Sequence, residues 1–257
     1  MTRILLLFSL LLALNTNVSA QNKAITAGEK LTYTASYNMS GVLTDIAQVT
    51  MEASEVKTSK ATLLKLKCTA ATYSKWDSFF KIRDLYESYV NPNSLAPYLY
   101  NRDVNEGNYY KNMKYTFSNG TNTVKSVMKK KNNYVENNSI KINSGTKDIV
   151  STLYYMRILD YKSMPVGTKK SFNILFDNEE VKGIITYLGK ETLATAIGKK
   201  ECYKLAIASS EADVLQGSNS NFLWLTADEN KIIVYGKFKI PVGNGELKIK
   251  TATGLKN

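Results

Sequence analysis

The sequence contains no histidine, and this absence is its most informative chemical feature. Without histidine the chain lacks the usual general base near neutral pH, the Ser-His and Cys-His nucleophiles and most zinc sites. Phosphate-binding loops, the serine hydrolase turn and calcium-binding loops are missing as well. We therefore expect a protein that is not an enzyme and that holds no metal and no cofactor. A hydrolase using carboxylates or a Ser-Lys pair on the cell wall is the least favoured alternative.

Cysteine is scarce, since only Cys68 and Cys202 are present. They lack the close spacing of redox or zinc motifs, which argues against both kinds of site. In an oxidising compartment the two thiols could form a disulfide if the fold brings their Cα atoms within about 7 Å. Cys68 lies on the apolar side of an alternating segment, where a thiol more often fills the core. The sequence leaves both alternatives open.

Long apolar runs are absent after the first 20 residues. That first segment has Arg3, an apolar run from Ile4 to Leu14 and small residues before Gln21, a pattern typical of a cleavable signal peptide. The run is shorter than the roughly 20 residues needed to span a membrane. We therefore predict a signal peptide over residues 1–20 and a periplasmic or secreted protein of a Gram-negative envelope, which does not span the membrane.

The charge is strongly basic, with 34 Lys and Arg against 22 Asp and Glu and a formal net charge of +12. Loss of Arg3 with the signal peptide lowers +12 by one, to +11. Such a charge favours anionic partners such as lipid headgroups or acidic glycans, and it also keeps a protein soluble without any such partner. Nucleic acid is not an expected partner for an exported chain.

Most of the remaining sequence alternates between apolar and polar residues with period two, which is typical of half-buried β-strands. About a dozen short strands with tight turns predict a mainly β fold, an antiparallel meander curled into a barrel-like structure or into two packed sheets. No linker divides residues 21–257, which favours one domain. The predicted strands are Leu31–Tyr37, Ala47–Ala53, Leu64–Ala70, Asp84–Val90, Tyr109–Phe117, Thr121–Met128, Ser171–Phe176, Val181–Leu188, Glu201–Ala208, Asn221–Thr226, Lys231–Ile240 and Glu246–Thr251.

One segment, Asp148–Asp160, has the apolar spacing of a helix, with Asp148 able to cap its first turn. We expect this helix to plug or cover the curled sheet. An integral outer-membrane barrel is the membrane alternative. It is disfavoured because the sequence ends on 254–257 without an aromatic strand end and carries lysines on strand faces that would meet lipid.

Segments 78–89, 97–110, 148–157 and 222–228 combine charged and aromatic residues. They yield the candidate ligand-binding residues Arg83, Glu87, Arg102, Glu106, Tyr154, Arg157 and Trp224. At the rim of a cavity, arginines would receive a carboxylate or phosphate, and aromatic rings would provide apolar or sugar-stacking surface. In the alternative interpretation, Arg83 or Arg102 pairs with Glu87 or Glu106 and merely holds neighbouring strands together.

Several ordered stretches resemble a known bacterial family. They are 28–33 (GEKLTY), 81–89 (KIRDLYESY) followed by Pro97, 106–107 (EG), 148–157 (DIVSTLYYMR), 201–202 (EC) and 224–228 (WLTAD). Together they are similar to the family called domain of unknown function 3108, whose members are exported envelope proteins of β architecture. The resemblance implies no activity. Our leading hypothesis is a non-catalytic binding or carrier module for a lipid, amphiphile or glycan, and the alternative is an assembly protein that binds another envelope protein.

Overall fold

The computed structural model describes residues 21–39, 41–210, 220–240 and 243–257. The predicted signal peptide lies outside these residues. In the described part, fourteen antiparallel strands form one sheet that curls without closing, accompanied by one α-helix. The predicted mainly β, barrel-like fold is therefore confirmed, as one curled sheet and not as two packed sheets.

The described elements follow one another along the chain with few long connections. They are β1 (Lys30–Met39), β2 (Val42–Lys57), β3 (Thr62–Thr72), a 3-10 turn (Ser74–Trp76), β4 (Arg83–Val90), β5 (Pro97–Glu106), β6 (Tyr109–Ser118), β7 (Thr123–Lys130), β8 (Val135–Lys141), α1 (Ile149–Met156), β9 (Lys169–Phe176), β10 (Glu179–Thr195), β11 (Gly198–Ser209), β12 (Phe222–Thr226), β13 (Ile233–Ile240) and β14 (Gly243–Thr253).

Consecutive strands pair with each other except for β8 and β9, and β1 also pairs with β14, so that β8 and β9 form the two edges of the sheet. The segment between these edges contains α1. It joins β9 through a parallel bridge between Lys147 and Ile174, where the Lys147 carbonyl accepts a 2.8 Å hydrogen bond from the Leu175 amide. The seam between the two edges is thus spanned by the helical segment instead of by a further strand.

The strands β5 and β8 were not predicted, because neither has the clear apolar alternation that indicates a half-buried strand. In β5 the buried positions include Arg102 between Tyr100 and Val104, so that charge interrupts the apolar alternation. In β8 the side chains alternate only between half-buried and exposed, as befits an edge strand with little apolar content.

The concave face of the sheet is filled by side chains. Tyr33, Leu66 and Tyr115 are fully buried there in a cluster that also includes Val150 and Tyr154 of α1. A second cluster joins Met156 and residues just after the helix to the opposite face of β10–β13, because its strand residues alternate along β11 and β12 with those of the first cluster. The helix therefore packs against the concave face through Val150 and Tyr154, as the predicted plug or cover requires, while the segment after it covers the opposite face of β10–β13.

The helix begins where the sequence predicts, because the Asp148 carboxylate accepts a 2.8 Å hydrogen bond from the Ser151 amide. It ends at Met156, before the predicted Asp160. The amides of Arg157 and Ile158 donate to carbonyls three residues earlier, which tightens the last turn. The Tyr161 hydroxyl then donates a 2.9 Å hydrogen bond to the Met156 carbonyl, which satisfies one of the terminal acceptors.

Candidate ligand groove beside the helix

A groove of about 1130 Å³ runs between α1, the segment that follows it and β9. Its walls also include the β4–β5 loop at 94–96 and the β8–α1 loop at 144–147. The volume is slightly above the usual range for small-molecule sites, about 300–1,000 Å³. We call it the helix groove, and its characteristic lining residues are Lys147, Tyr155, Lys170, Phe172 and Lys182.

Strand pairing brings these residues together around β9. Alternation along β9 places Lys170 and Phe172 on the same face of the sheet. Lys182 of β10 lies opposite Asn173 and reaches the groove from the other face. The Tyr155 ring of α1 packs edge-to-face on Phe172, with ring centroids 5.9 Å apart. The groove therefore combines an aromatic wall with amino groups supplied by three lysines.

Lys147 is the least ordinary of these lysines because its side chain is only 8% exposed. Its ammonium group lies 4.5 Å from the centroid of the Tyr155 ring. Burial lowers the pKa of Lys147, while the nearby Asp148 charge opposes that shift. Within the described residues no salt bridge reaches this ammonium group. A buried cation without an acid partner is costly, and an anion bound in the groove would offset that cost.

One carboxylate, Asp160, also lines the groove. It accepts a 2.7 Å hydrogen bond from the Ser163 hydroxyl, and this bond holds the pKa of Asp160 below its usual range. The groove therefore carries three lysines against one ionised carboxylate and is positive on balance. Its chemistry suits a ligand with both an anionic group and an apolar part.

The sequence-predicted site residues do not gather in one place, and none of them lines the helix groove. Arg83 forms an ion pair with Asp77 at 2.5 Å and Glu87 forms one with Lys65 at 2.7 Å. Arg102 binds Asp177 at 2.7 Å. The predicted pairing of these arginines with Glu87 or Glu106 is wrong, because other strands and turns supply closer acids.

The remaining predicted residues also have protein partners. The Trp224 indole donates a hydrogen bond to the Glu191 carboxylate. Glu106 lies near Asp84, and burial together with that neighbouring charge raises the pKa of Glu106. These contacts hold strands and turns of the sheet together, so they leave no open rim of the predicted kind.

Tyr154 and Arg157 are brought together, but in the core. The Arg157 guanidinium is 1% exposed and binds both carboxylate oxygens of Glu29, at 2.6 and 2.7 Å. Its Nε donates to the Asn230 carbonyl, and it lies 5.3 Å from the Tyr154 ring centroid. Because protein groups occupy the guanidinium, Arg157 stabilises the core and offers nothing to a ligand from outside.

Arg102 binds the β9–β10 turn, which packs into the concave side of the curled sheet and which we call the turn plug. Asp177 in that turn accepts from Arg102 and also pairs with Lys111 at 2.7 Å. The next residue, Asn178, accepts a 2.6 Å hydrogen bond from Ser126 and donates its amide to the Tyr115 hydroxyl. The turn thus fastens β9 and β10 to the concave side of β5, β6 and β7 across the curled sheet.

Both cysteines are free thiols, one on β3 and one on β11. Burial raises the pKa of Cys68 to about 12 and that of Cys202 to about 11. Both groups are therefore protonated near neutral pH and serve as core-filling residues.

Two kinds of feature are absent from the described ranges. No group of three or more His, Cys, Asp or Glu side chains there could hold a metal ion. Among the same residues, none of the helical structure has the length and apolar character needed to cross a membrane.

Sequence reasoning missed the helix groove because its residues come from separate segments. Tyr155 lies in a stretch that the sequence singles out, whereas Lys147, Lys170 and Phe172 do not. The one available signal was a lysine placed directly before the helix-capping Asp148. Its burial depends on the bridge to β9, which no local pattern predicts.

Comparison with known proteins agrees with this architecture. A family model described as protein of unknown function (DUF3108) matches residues 32–250. A beta-barrel-like protein of domain of unknown function DUF1849 from Brucella abortus aligns with a TM-score of 0.54 at 8% identity, covering 87% of this chain and 96% of its own. A candidate exported protein with a YmcC-like fold from Bacteroides fragilis aligns with a TM-score of 0.37 at 9% identity, covering 89% and 96%. No curated protein matches the chain.

Proposed function

The chain belongs to the DUF3108 family of unknown function, and we propose that it is an exported, non-catalytic envelope protein that binds an anionic amphiphile in the helix groove. The observation that carries the proposal is Lys147, a nearly buried cation that faces the groove without a carboxylate partner among the described residues. An anionic headgroup is the ligand chemistry that would complete this site.

The apolar part of the ligand would contact the apolar residues that line the rest of the groove. Tyr155 and Phe172 are half-buried aromatic residues, and Ile158, Leu159 and Met164 extend the apolar lining along the segment after α1. Lys170 and Lys182 are exposed at the groove and would attract the headgroup from solvent. A single acyl chain with a phosphate or carboxylate headgroup fits both parts of this surface.

The first test uses dodecyl phosphate and the uncharged dodecyl maltoside, which share the same alkyl chain. Isothermal titration calorimetry below the micelle concentration should detect binding of dodecyl phosphate and much weaker binding of the maltoside. Lys147→Met should weaken dodecyl phosphate binding by about tenfold or more, because a charge-assisted contact with the headgroup is lost. Native mass spectrometry of protein purified from its own host would identify the natural ligand.

Lys231→Met is the matched control. Lys231 is 9% exposed, burial also lowers its pKa, and it lies outside the lining of the groove. Its replacement should leave dodecyl phosphate binding unchanged. Equal binding by the Lys147→Met and Lys231→Met proteins, or equal binding of the two detergents, would contradict the proposal. A single protein partner captured from crosslinked envelopes, with no bound amphiphile, would favour the assembly alternative instead.

A further inference from the structure

Exposed apolar side chains are concentrated at one end of the curled sheet. Of the ten large hydrophobic residues that are exposed in the described part of the chain, seven lie in or beside four turns, β1–β2, β3–β4, β5–β6 and β7–β8. We call these seven the apolar rim, formed by Val42, Leu43, Phe79, Phe80, Tyr109, Tyr134 and Val135. The other three, Tyr98, Val166 and Leu188, are scattered elsewhere.

The meander explains why these turns are neighbours. In an antiparallel sheet every second connection lies at the same end, so the turns after β1, β3, β5 and β7 share one rim. Two hydrogen bonds link three of these four hairpins. The Trp76 indole donates a 2.9 Å bond to the Asp45 carbonyl, and the Gly107 amide donates a 2.7 Å bond to the Lys81 carbonyl. These bonds link the β3–β4 turn to the β1–β2 and β5–β6 hairpins, and the β7–β8 turn lies next along the same end of the sheet.

Phe79 and Phe80 are its most prominent members. Phe79 is 76% exposed and Phe80 is 47% exposed, the latter resting against the backbone at Gly107. Val42 is 66% exposed on the neighbouring hairpin. Large side chains held this far out of the core cost solubility, and clusters of them mark binding surfaces.

Lysines surround the same rim. Lys75 and Lys81 flank the two phenylalanines, and the run 129–131 adds three exposed lysines beside Tyr134. The Lys75 ammonium lies 5.6 Å from the Trp76 ring, and that of Lys130 lies 5.6 Å from the Tyr134 ring. In contrast, the nearby Asp77 is neutralised by its ion pair with Arg83. Exposed aromatic residues interspersed with lysines are the combination that inserts into anionic membrane interfaces.

We propose that the apolar rim docks the protein onto the surface of an anionic lipid membrane. The aromatic side chains enter the headgroup region, and the five surrounding lysines bind lipid phosphates. The mode is peripheral, and it does not depend on the ligand proposed for the helix groove. The groove is lined by the β4–β5 and β8–α1 loops at the opposite end of the sheet, so it stays open to water while the rim is bound.

The test is co-sedimentation of the purified protein with two kinds of vesicle, phosphatidylcholine alone and an equimolar mixture of phosphatidylethanolamine and phosphatidylglycerol. We expect binding to the anionic vesicles that weakens with added salt, and little binding to the neutral ones. The double variant Val42→Ser/Phe79→Ser should have an affinity for the anionic vesicles that is lower by about tenfold or more. The triple variant of residues 129–131, each Lys→Glu, should show a similar loss.

Matched controls come from the other end of the sheet. Tyr98→Ser/Val166→Ser removes two exposed apolar side chains, and Lys57→Glu/Lys60→Glu/Lys141→Glu reverses three exposed lysines. Both controls should bind vesicles like the unchanged protein. Thermal unfolding of every variant should match the parent, because all these side chains are exposed.

A second readout reports on the position of the rim. The chain has two tryptophans, Trp76 in the β3–β4 turn and Trp224, which is 5% exposed. Brominated lipids should quench the Trp76 fluorescence on binding, and Trp76→Phe should abolish the quenching. The proposal is overturned if the unchanged protein does not bind anionic vesicles, if rim and control variants bind equally, or if Trp76 is not quenched.

Discussion

Two buried cations of this protein have opposite environments. Arg157 is surrounded by groups that satisfy it, with both oxygens of Glu29 and a backbone carbonyl in hydrogen-bond contact. Lys147 is almost as buried, yet it has an aromatic ring where Arg157 has a carboxylate. Removing one charge of a buried ion pair leaves the other charge buried without a partner, which destabilises the fold. Removing a buried charge that has no ion-pair partner instead removes the cost of its desolvation. The two residues therefore differ in what they contribute to stability.

For this reason Lys147→Met should stabilise the folded protein at neutral pH, by on the order of 1 kcal/mol. The pKa of Lys147 is lower in the folded state than its ordinary 10.5, so the unfolded chain binds more protons between the two values. The free energy of unfolding of the parent should therefore rise with pH across that window, and the advantage of the variant should shrink. Urea unfolding at neutral and alkaline pH measures both effects. A variant that is less stable than the parent at neutral pH would contradict this account.

At the scale of elements, the β9–β10 turn does more than reverse the chain. Asp177 and Asn178 have φ angles of 49° and 71°, and their side chains bind residues of β5, β6 and β7 across the sheet. The turn thereby fixes one edge of the open sheet to its far side. This contact compensates for the absence of pairing between β8 and β9 in the described sheet.

Asp177→Ala should lower the free energy of unfolding by about 2–3 kcal/mol. The substitution leaves Arg102 and Lys111, which are 8% and 6% exposed, without their shared carboxylate. Glu179→Ala, which removes an exposed carboxylate from the same hairpin, is the control and should have little effect. Urea unfolding of both proteins checks the difference, and equal losses would show that the turn is not a plug.

At the scale of the whole molecule, the order of the strands places the two ends of the described chain side by side. β1 pairs with β14, and Asn257 donates a 3.2 Å hydrogen bond to the Lys23 carbonyl. The sheet is thus continuous through its terminal strands and interrupted in the middle of the sequence, at the seam that α1 covers.

A circular permutant should therefore fold. Joining residues 257 and 21 by a short flexible linker and opening the β2–β3 turn at 58–61 should cost about 1–2 kcal/mol of unfolding free energy, since that turn is exposed. Opening the chain at Asp177 instead should give a protein without a cooperative unfolding transition, because the contacts of the turn plug with β5, β6 and β7 are then lost. Circular dichroism and urea unfolding distinguish the two. Equal stability of both permutants would refute this view of the seam.

How much of the fold and of the candidate site could be predicted depends on how far apart in sequence the interacting residues are. Alternation with period two revealed most strands, and Asp148 revealed the start of the helix, because both signals are local in sequence. The partner of Arg102 was missed because Asp177 comes from a turn that only the fold brings near. Asp77 is close to Arg83 in sequence, but it lies in an irregular connection where no period-two pattern predicts which side chains meet. The strand β8 was missed because an edge strand need not bury an apolar face.

The sequence by itself determined the class of fold, the family and the absence of histidine chemistry, since each depends on residue types and their order. Only the tertiary structure decided where the two surfaces lie to which we assign a ligand and a membrane. The helix groove exists because β9 carries Lys170 and Phe172 to Lys147 and Tyr155. The apolar rim exists because alternate turns of a meander share one end. Both surfaces are built by strand pairing, and pairing partners are chosen by the whole chain and not by any one segment.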